Sequence, residues 1–334
     1  MGNRFQRGLV TGKFYPPHRG HKFLIDYATA QCESMDVLLC ERKDQTIPGP
    51  LRAAWLREIH PQVNVIQAED LCDDGNSQRW AEYTLKLLGR APDAVFSSED
   101  YGDAYARYLG CEHVKVDRDR QNVPVTGAMV REDPLAYWDY LEPCVAAHFL
   151  KRICLVGAES TGTTSFARRL AEHYRTVWVP EYGRDYTEAR VVAGAGLAWK
   201  SEEFTHIALR QQAHEDELAR QANRVMFCDT DALATCVWHE RYLGNWSLEV
   251  EEIANRRGYD LYFVTEPDIP FVHDRIRDSE HLREWMTERF KQEISKRGYR
   301  WVSLAGDVEQ RMRTAIDAVE TVMKEPRLKP LVHG

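Results

Sequence analysis

No run of apolar residues in this 334-residue chain is long enough to cross a bilayer, and its start, "MGNRFQRG", lacks the apolar core of a secretory leader. Gln6 stands where N-myristoylation of a Met1-Gly2 start needs Ser or Thr. A cytoplasmic protein with no membrane partner is therefore expected. An excess of basic charge is missing as well. The 44 Lys and Arg against 52 Asp and Glu leave a formal net charge of −8, the wrong sign for a face that neutralises nucleic-acid phosphates, so no nucleic-acid partner is expected. None of the eight cysteines makes a Cys-x-x-Cys pair, and the 12 histidines form no zinc-like cluster. Cys40 and Cys228, inside apolar runs, read as small buried hydrophobes. Repeats and low-complexity segments are absent too. What is present, 43% hydrophobic and 29% charged residues, suits a soluble globular chain long enough for two cores.

Short apolar runs alternate with helical patterns. "GLVTG", "DVLLCE", "VNVIQA", "DAVFSS" and "HVKVD" read as strands apolar on both faces, separated by helices over 20–33, 51–59, 77–89 and 101–109. The rhythm restarts at "RICLVGAESTG" and continues through "TVWVP", "RVMFCD", "DLYFVTE" and "RWVSLAG", with helices near 202–222, 231–243, 280–297 and 308–323. An α/β protein of two doubly wound parallel-sheet domains is expected, a Rossmann-like one over 1–150 and a P-loop-like one over 151–334, the last residues forming a loose tail. Such sheets bind ligands beyond the carboxyl ends of their strands.

In "GKFYPPHRGH" the first strand ends near Gly12, two prolines make a rigid turn, and Gly20 lets the backbone approach a ligand before a helix begins. Backbone N–H groups and the dipole at that helix start attract an anion. His18 and His21, neutral or protonated, add donors to a polyphosphate, and Lys13 adds a fixed charge; Gly12 and Phe14 belong to the same phosphate-binding turn. No nucleophile is required where the task is to stabilise charge on phosphorus and a leaving pyrophosphate.

"GAESTGTTS" has the G-x-x-x-x-G frame of a phosphate loop between a strand and a helix. Gly157 and Gly162 permit the tight turn, and Ser160, Thr161, Gly162, Thr163, Thr164 and Ser165 supply the phosphate cradle. Thr164 is placed to hold Mg2+ with Asp229, which ends a later strand, while Thr163 occupies the position of the usual lysine. In "PEYGRDY", Glu181 is placed to take a proton from, or hydrogen-bond, a ribose hydroxyl, Arg184 to clamp a phosphate or the acceptor, and Tyr182 to contact substrate. Asp231 either binds substrate or caps the next helix. "PDIPFVHDRIRDSEHL" reads as a lid carrying Asp274, Arg275 and Arg277, with Arg275 or Arg168 supplying the charge that Thr163 cannot.

"GKFYPPHRGH" resembles the signature of the nucleotidyltransferase superfamily, in which the His-x-x-His pair binds a nucleoside triphosphate and stabilises the transition state. The companion motif is matched by "VPVTGAMVRED", where Thr126, Gly127 and Arg131 fill the pattern and Ala128 stands where a hydroxyl residue is common. "IPGPLRAAWLREIHP", "SQRWAEYTLKLLG" and "VFSSEDYGDAYARYLG" are similar to NadR-type nicotinamide-nucleotide adenylyltransferases. That resemblance implies that Trp80 stacks on a nicotinamide ring and that Arg52 and Trp55 line the same pocket. The stretch 152–323 resembles the ribosylnicotinamide kinase domain of the same family, with "PEYGR" and "DTD" in place and with Thr163 and Arg275 as departures. Some NadR proteins carry an N-terminal helix-turn-helix repressor domain; a first strand at residue 8 leaves no room for one, so direct DNA regulation is not expected.

The expected protein is a bifunctional enzyme of NAD salvage. One half joins ATP to nicotinamide mononucleotide, giving NAD and pyrophosphate, and the other phosphorylates nicotinamide riboside with ATP and Mg2+. Two alternatives stand beside it. One is a different nucleotidyltransferase, such as an FMN adenylyltransferase, whose usual kinase partner is a β-barrel unlike the second half. The other is a non-catalytic, nucleotide-sensing P-loop domain, favoured by Thr163 and opposed by Glu181, Asp229 and the lid arginines. Formation of a homo-oligomer is compatible with all three.

Overall fold

The computed structural model describes residues 4–73, 75–117, 119–194, 198–272 and 280–325. Asp274, Arg275 and Arg277 lie outside them. The chain divides into two compact units, Met1–Ala146 and Ala147–Gly334.

The first unit runs β1 (Phe5–Gly12), α1 (Arg19–Thr29), β2 (Cys32–Glu41), α2 (Gly49–Ile59), β3 (Asn64–Glu69), α3 (Ser77–Leu88), β4 (Ala94–Ser97), α4 (Gly102–Leu109), β5 (Glu112–Lys115) and α5 (Gly127–Glu132). Its five strands are parallel in the order β3-β2-β1-β4-β5. Neighbouring residues on a strand point to opposite faces, and here both faces are covered. Val10, Val37 and Leu39 enter one apolar cluster, and Leu9, Leu38 and Cys40 enter the other. This is why the strands read as continuous apolar runs. β2 begins four residues before "DVLLCE", because Cys32 pairs with Phe5 and Ser34 with Arg7 in the ladder to β1. The first helix therefore stops at Thr29, short of the expected residue 33.

After α6 (Pro143–Phe149), the second unit runs β6 (Lys151–Gly157), α7 (Thr163–Tyr174), β7 (Trp178–Val179), α8 (Tyr182–Val192), α9 (Ser201–Ala219), β8 (Val225–Asp229), α10 (Ala232–Leu243), α11 (Leu248–Ala254), β9 (Leu261–Thr265), α12 (Arg283–Lys296), β10 (Trp301–Leu304) and α13 (Val308–Lys324). Its strands are parallel in the order β10-β9-β6-β8-β7. The helix α8 has no buried residue, so it carries no apolar stripe from which a 3.6-residue period is legible.

Both units are doubly wound, as the strand rhythm predicts. In each, the first strand lies centrally, and the chain leaves it once to either side. The crevice beyond the carboxyl end of that strand is where such a sheet binds a ligand.

Candidate active sites at the two strand crossovers

Past the end of β1, Phe14 takes a positive φ of 44° and the chain turns into α1. His18 is the residue before the helix, in extended backbone, and its N–H donates to His21 Nδ1 at 3.3 Å. That bond assigns the proton of His21 to Nε2 and leaves this atom as a donor. The two rings are stacked with centroids 3.7 Å apart, and Phe14 meets His21 edge-on at 5.0 Å. A Cβ on Gly20 would press on His18 ring atoms at 3.0 Å, so glycine is the residue that admits this ring over the first turn. Burial, then the charge of Arg120, lowers the His18 pKa from 6.5 to about 4. Burial, then His18 and Arg120, holds His21 well below 6.5. Of the two protonation states open to the sequence, the ligand-free fold selects neutral rings at pH 7. His18 Nδ1 is buried without a hydrogen-bond partner among the described residues, a donor or acceptor awaiting a ligand.

His21 opens onto a cavity of about 580 Å³ together with Gly12, Lys13, Phe14, Trp80, Gly127 and Arg131. Arg131 donates to the Tyr15 carbonyl and lies 4.5 Å over the Tyr15 ring. A Cβ on Gly127 would come within 2.7 Å of that same carbonyl, so α5 reaches the turn only because residue 127 is glycine. Lys13 Nζ lies 3.3 Å from Asp70 Oδ2, whose side chain is buried. Trp80 fixes its ring by donating Nε1–H to the Asp73 carbonyl at 3.1 Å.

Two expectations for this unit, Arg52 and Trp55, are corrected. Arg52 is fully buried, donating to the Lys13 carbonyl and, at 2.6 Å, to Gln45 Oε1. It buttresses the turn from behind and does not line the cavity. Trp55, also on α2, is buried in the interior for the same reason of helix facing. Thr126 caps α5, its hydroxyl oxygen accepting from the Met129 N–H at 3.1 Å, a bond that uses a lone pair and not the O–H. The cavity also holds residues that were not singled out: Asp70 after β3, and Ser97, Glu99, Tyr101 and Tyr105 at and after β4. Their positions just beyond strand ends were the available signal.

In the second unit the turn after β6 wraps a cavity of about 440 Å³ lined by Gly157, Ser160, Gly162, Thr163, Thr164 and Ser165. Ser160 and Gly162 take φ of 59° and 93°. A Cβ on Gly157 would lie 2.0 Å from Thr265 Oγ1, so glycine is required there by contact as well. Thr161 is buried behind the loop, donating to the Ala158 carbonyl at 2.7 Å with its oxygen 2.6 Å from Thr265 Oγ1. It shapes the loop from beneath. Thr164 donates to Asp229 Oδ2 at 2.5 Å. Asp229 is fully buried, and its Oδ1 has no hydrogen-bond partner among the described residues. Burial raises its pKa from 3.8 to about 6, opposed by hydrogen bonds from Thr164 and Thr163 and by the charge of Arg184. An orphaned carboxylate oxygen beside a loop hydroxyl is a donor set that fits Mg2+. No group of three His, Cys, Asp or Glu among the described residues could hold a metal, so further ligands would have to be phosphate oxygens and water.

Glu181 and Arg184, at the start of α8, line the same cavity. Tyr182 does not: its hydroxyl sits 3.1 Å from His206 Nε2 and its ring packs against His214. Asp231 is likewise structural. It caps α10 by accepting from the Ala234 N–H at 2.8 Å and accepts from the Tyr262 hydroxyl at 2.7 Å. Arg168 is exposed on α7 with its guanidinium 5.9 Å from the Trp178 ring, and does not reach the cavity. The cavity instead carries aromatic walls with no local signature in the sequence: Trp199, Phe204, Trp238 and Tyr242, spread over two helices and the loop before them. Trp199 and Tyr242 have centroids 5.1 Å apart, and Trp238 stacks on Tyr242 at 6.2 Å.

A family model described as an AAA domain matches residues 152–311. The chain is 29% identical over 295 residues to the trifunctional NAD biosynthesis/regulator protein NadR of Escherichia coli (strain K12), an alignment covering 81% of this chain and 71% of that protein. The NadR of Salmonella typhimurium (strain LT2) is 28% identical over the same shares. Among solved structures, NadR in complex with NAD and AMP-PNP superposes with a TM-score of 0.75 at 24% identity, covering 97% of this chain and 98% of that one. NadR in complex with NR superposes with a TM-score of 0.79 at 21% identity, covering 98% and 99%. The chain is homologous to NadR and shares its two-sheet fold.

Proposed function

We propose, on the premise of that homology, that the chain makes NAD in two steps: riboside phosphorylation in the second unit, then adenylyl transfer in the first. The observation that carries the first activity is the stacked His18–His21 pair, with Nε2 of His21 free to donate beside a tryptophan-lined cavity. A phosphate oxygen of nicotinamide mononucleotide attacks the α-phosphorus of ATP in line, and the bond to pyrophosphate breaks. The attacking phosphate is already ionised, so no base is needed. His21, Lys13 and Arg131 donate to the charge that builds on the phosphate oxygens. Trp80 offers its face to the pyridinium ring.

In the second unit the riboside hydroxyl attacks the γ-phosphorus of ATP and the bond to ADP breaks. Glu181 takes or hydrogen-bonds the hydroxyl proton, and Arg184 holds the transferring phosphate. Thr164 and Asp229 would hold Mg2+, which when bound neutralises charge on the phosphate oxygens. The aromatic walls supply the π-faces a pyridinium riboside needs. Trp199→Ala is expected to raise KM for the riboside by about tenfold, the worth of one desolvated cation–π contact, with kcat little changed. An unchanged KM would remove Trp199 from the riboside site.

Thr163 at the lysine position favours a second reading of this unit, as a nucleotide sensor. A paired assay separates the two. The purified chain with ATP and Mg2+ receives nicotinamide mononucleotide in one tube and nicotinamide riboside in the other, and the products are weighed by mass spectrometry. NAD in both tubes supports two working sites. NAD from the mononucleotide alone supports the sensor, and NAD from neither overturns the proposal.

A further inference from the structure

Thr163 leaves the phosphate loop without its own cation, yet two buried guanidiniums sit directly behind it. Arg283, the first residue of α12, is 6% exposed and donates Nη2–H to the Ser160 carbonyl at 3.2 Å and the Ile269 carbonyl at 3.0 Å. Arg311 on α13 is 1% exposed and donates to the Thr161 carbonyl at 2.8 Å, the Glu266 carbonyl at 3.0 Å and the Gly306 carbonyl at 3.0 Å, with Asp268 as its counter-ion.

The carbonyl of Ser160 and the N–H of Thr161 belong to one trans peptide unit and point in opposite directions, as do the carbonyl of Thr161 and the N–H of Gly162. A guanidinium that holds the carbonyl outward therefore turns the amide proton toward the cavity and polarises it. Burial pulls the Arg283 pKa below its ordinary value, with the charges of Glu280 and Asp268 opposing it and that of Arg311 adding to it. Arg283 Nε has no hydrogen-bond partner among the described residues.

We infer that Arg283 and Arg311 together take the place of the loop lysine, as positioning residues that act on the triphosphate through the amides of Thr161 and Gly162. The inference rests on the second unit binding ATP, as proposed above. Of the two, Arg283 is the one to test, since Arg311 is tied to four acceptors and its loss would disturb the fold.

The experiment is a cycle on the full chain: wild type, Arg283→Met, Thr163→Lys and the double variant, with Arg283→Lys as a milder second probe. Riboside phosphorylation is measured over a range of ATP, and AMP-PNP binding is titrated by calorimetry, with thermal melts as the folding check. Arg283→Met is expected to raise KM for ATP by about 30-fold, the loss expected from removing one charge-assisted donor. Arg283→Lys, which keeps the charge and loses the fork, should fall in between. Thr163→Lys should recover most of the loss in the double variant, a larger gain than it produces in the wild type. Equal effects of Thr163→Lys in both backgrounds, or an Arg283→Met chain that melts normally with unchanged KM, would overturn the inference. If the wild type phosphorylates no riboside, the kinase reading fails by itself. The inference is then decided by AMP-PNP, whose affinity for the second unit must fall about 30-fold in Arg283→Met, an unchanged affinity overturning it.

Discussion

On the proposed function, His21→Ala is expected to lower adenylyl transfer by roughly two to three orders of magnitude, the loss that follows removal of one preorganised donor to developing charge. The donor is preorganised because three contacts hold the ring: the His18 N–H on Nδ1, the stacked His18 ring and the edge of Phe14. The bond to Nδ1 comes from the backbone of His18, so His18→Ala keeps the His21 tautomer and loses only the stacking and its own donor. The double variant should accordingly fall less than the product of the two single effects. Since both rings are held neutral, kcat/KM for ATP should stay flat from pH 8 down to about 6. A rate that rises on acidification through 6.5 would mean the imidazolium is the binding form and would sink this account. The same shift predicts acid sensitivity of the fold. His18 has a folded pKa of about 4 against 6.5. The unfolded chain thus binds more protons between those values, and stability on the order of 3 kcal/mol is lost as pH falls through that window. Melting of wild type and His18→Asn at pH 7 and pH 5 measures it: the gap between the two pH values should narrow in the variant.

On the same proposal, Asp229→Asn is expected to lower riboside phosphorylation by a comparable factor while making the ligand-free chain more stable at pH 7. The carboxylate is fully buried with one oxygen unpartnered, and its pKa is raised from 3.8 to about 6, with burial as the main cause. For an acid with a raised folded pKa the folded chain binds more protons between pH 3.8 and 6, so its stability is fully present below 3.8 and lost as pH rises through 6. At pH 7 the cost is on the order of 3 kcal/mol, and an amide of the same shape avoids it. A thermal melt without nucleotide should shift upward in Asp229→Asn, whereas adding ATP and Mg2+ should stabilise the wild type more than the variant. A variant that melts lower than wild type in the absence of ligand would show that the carboxylate is a structural anchor. The acid limbs of His18 and Asp229 have opposite sign, so Asp229→Asn should also steepen the loss of stability on acidification.

These effects come from burial, which no local motif records. The strand rhythm, the glycines and the order of the motifs were legible because each follows from a short-range rule. A strand covered on both faces must be apolar throughout, a turn at positive φ or against a neighbour's carbonyl must be glycine, and a phosphate loop must lie between a strand and a helix. From such rules came both sheets, both crossover sites, the His18–His21 pair and the Thr164–Asp229 pair. The rules gave out where a side chain had two plausible partners. Asp231 reads equally as a substrate ligand or a cap, and the Tyr262 hydroxyl and the Ala234 N–H settle it as structural. Arg52 is the same charge whether it faces a pocket or props a turn, and the facing of α2 makes it the prop. Thr163 advertised a missing cation, while Arg283 and Arg311, 120 and 148 residues further along the chain, are brought behind the loop only by the packing of α12 and α13. Residue type and spacing specify what a backbone segment can become, because those preferences are local. Which charges end up buried, and against which carbonyls, is set by contacts between segments far apart in the chain, and it is there that the chemistry of both sites is tuned.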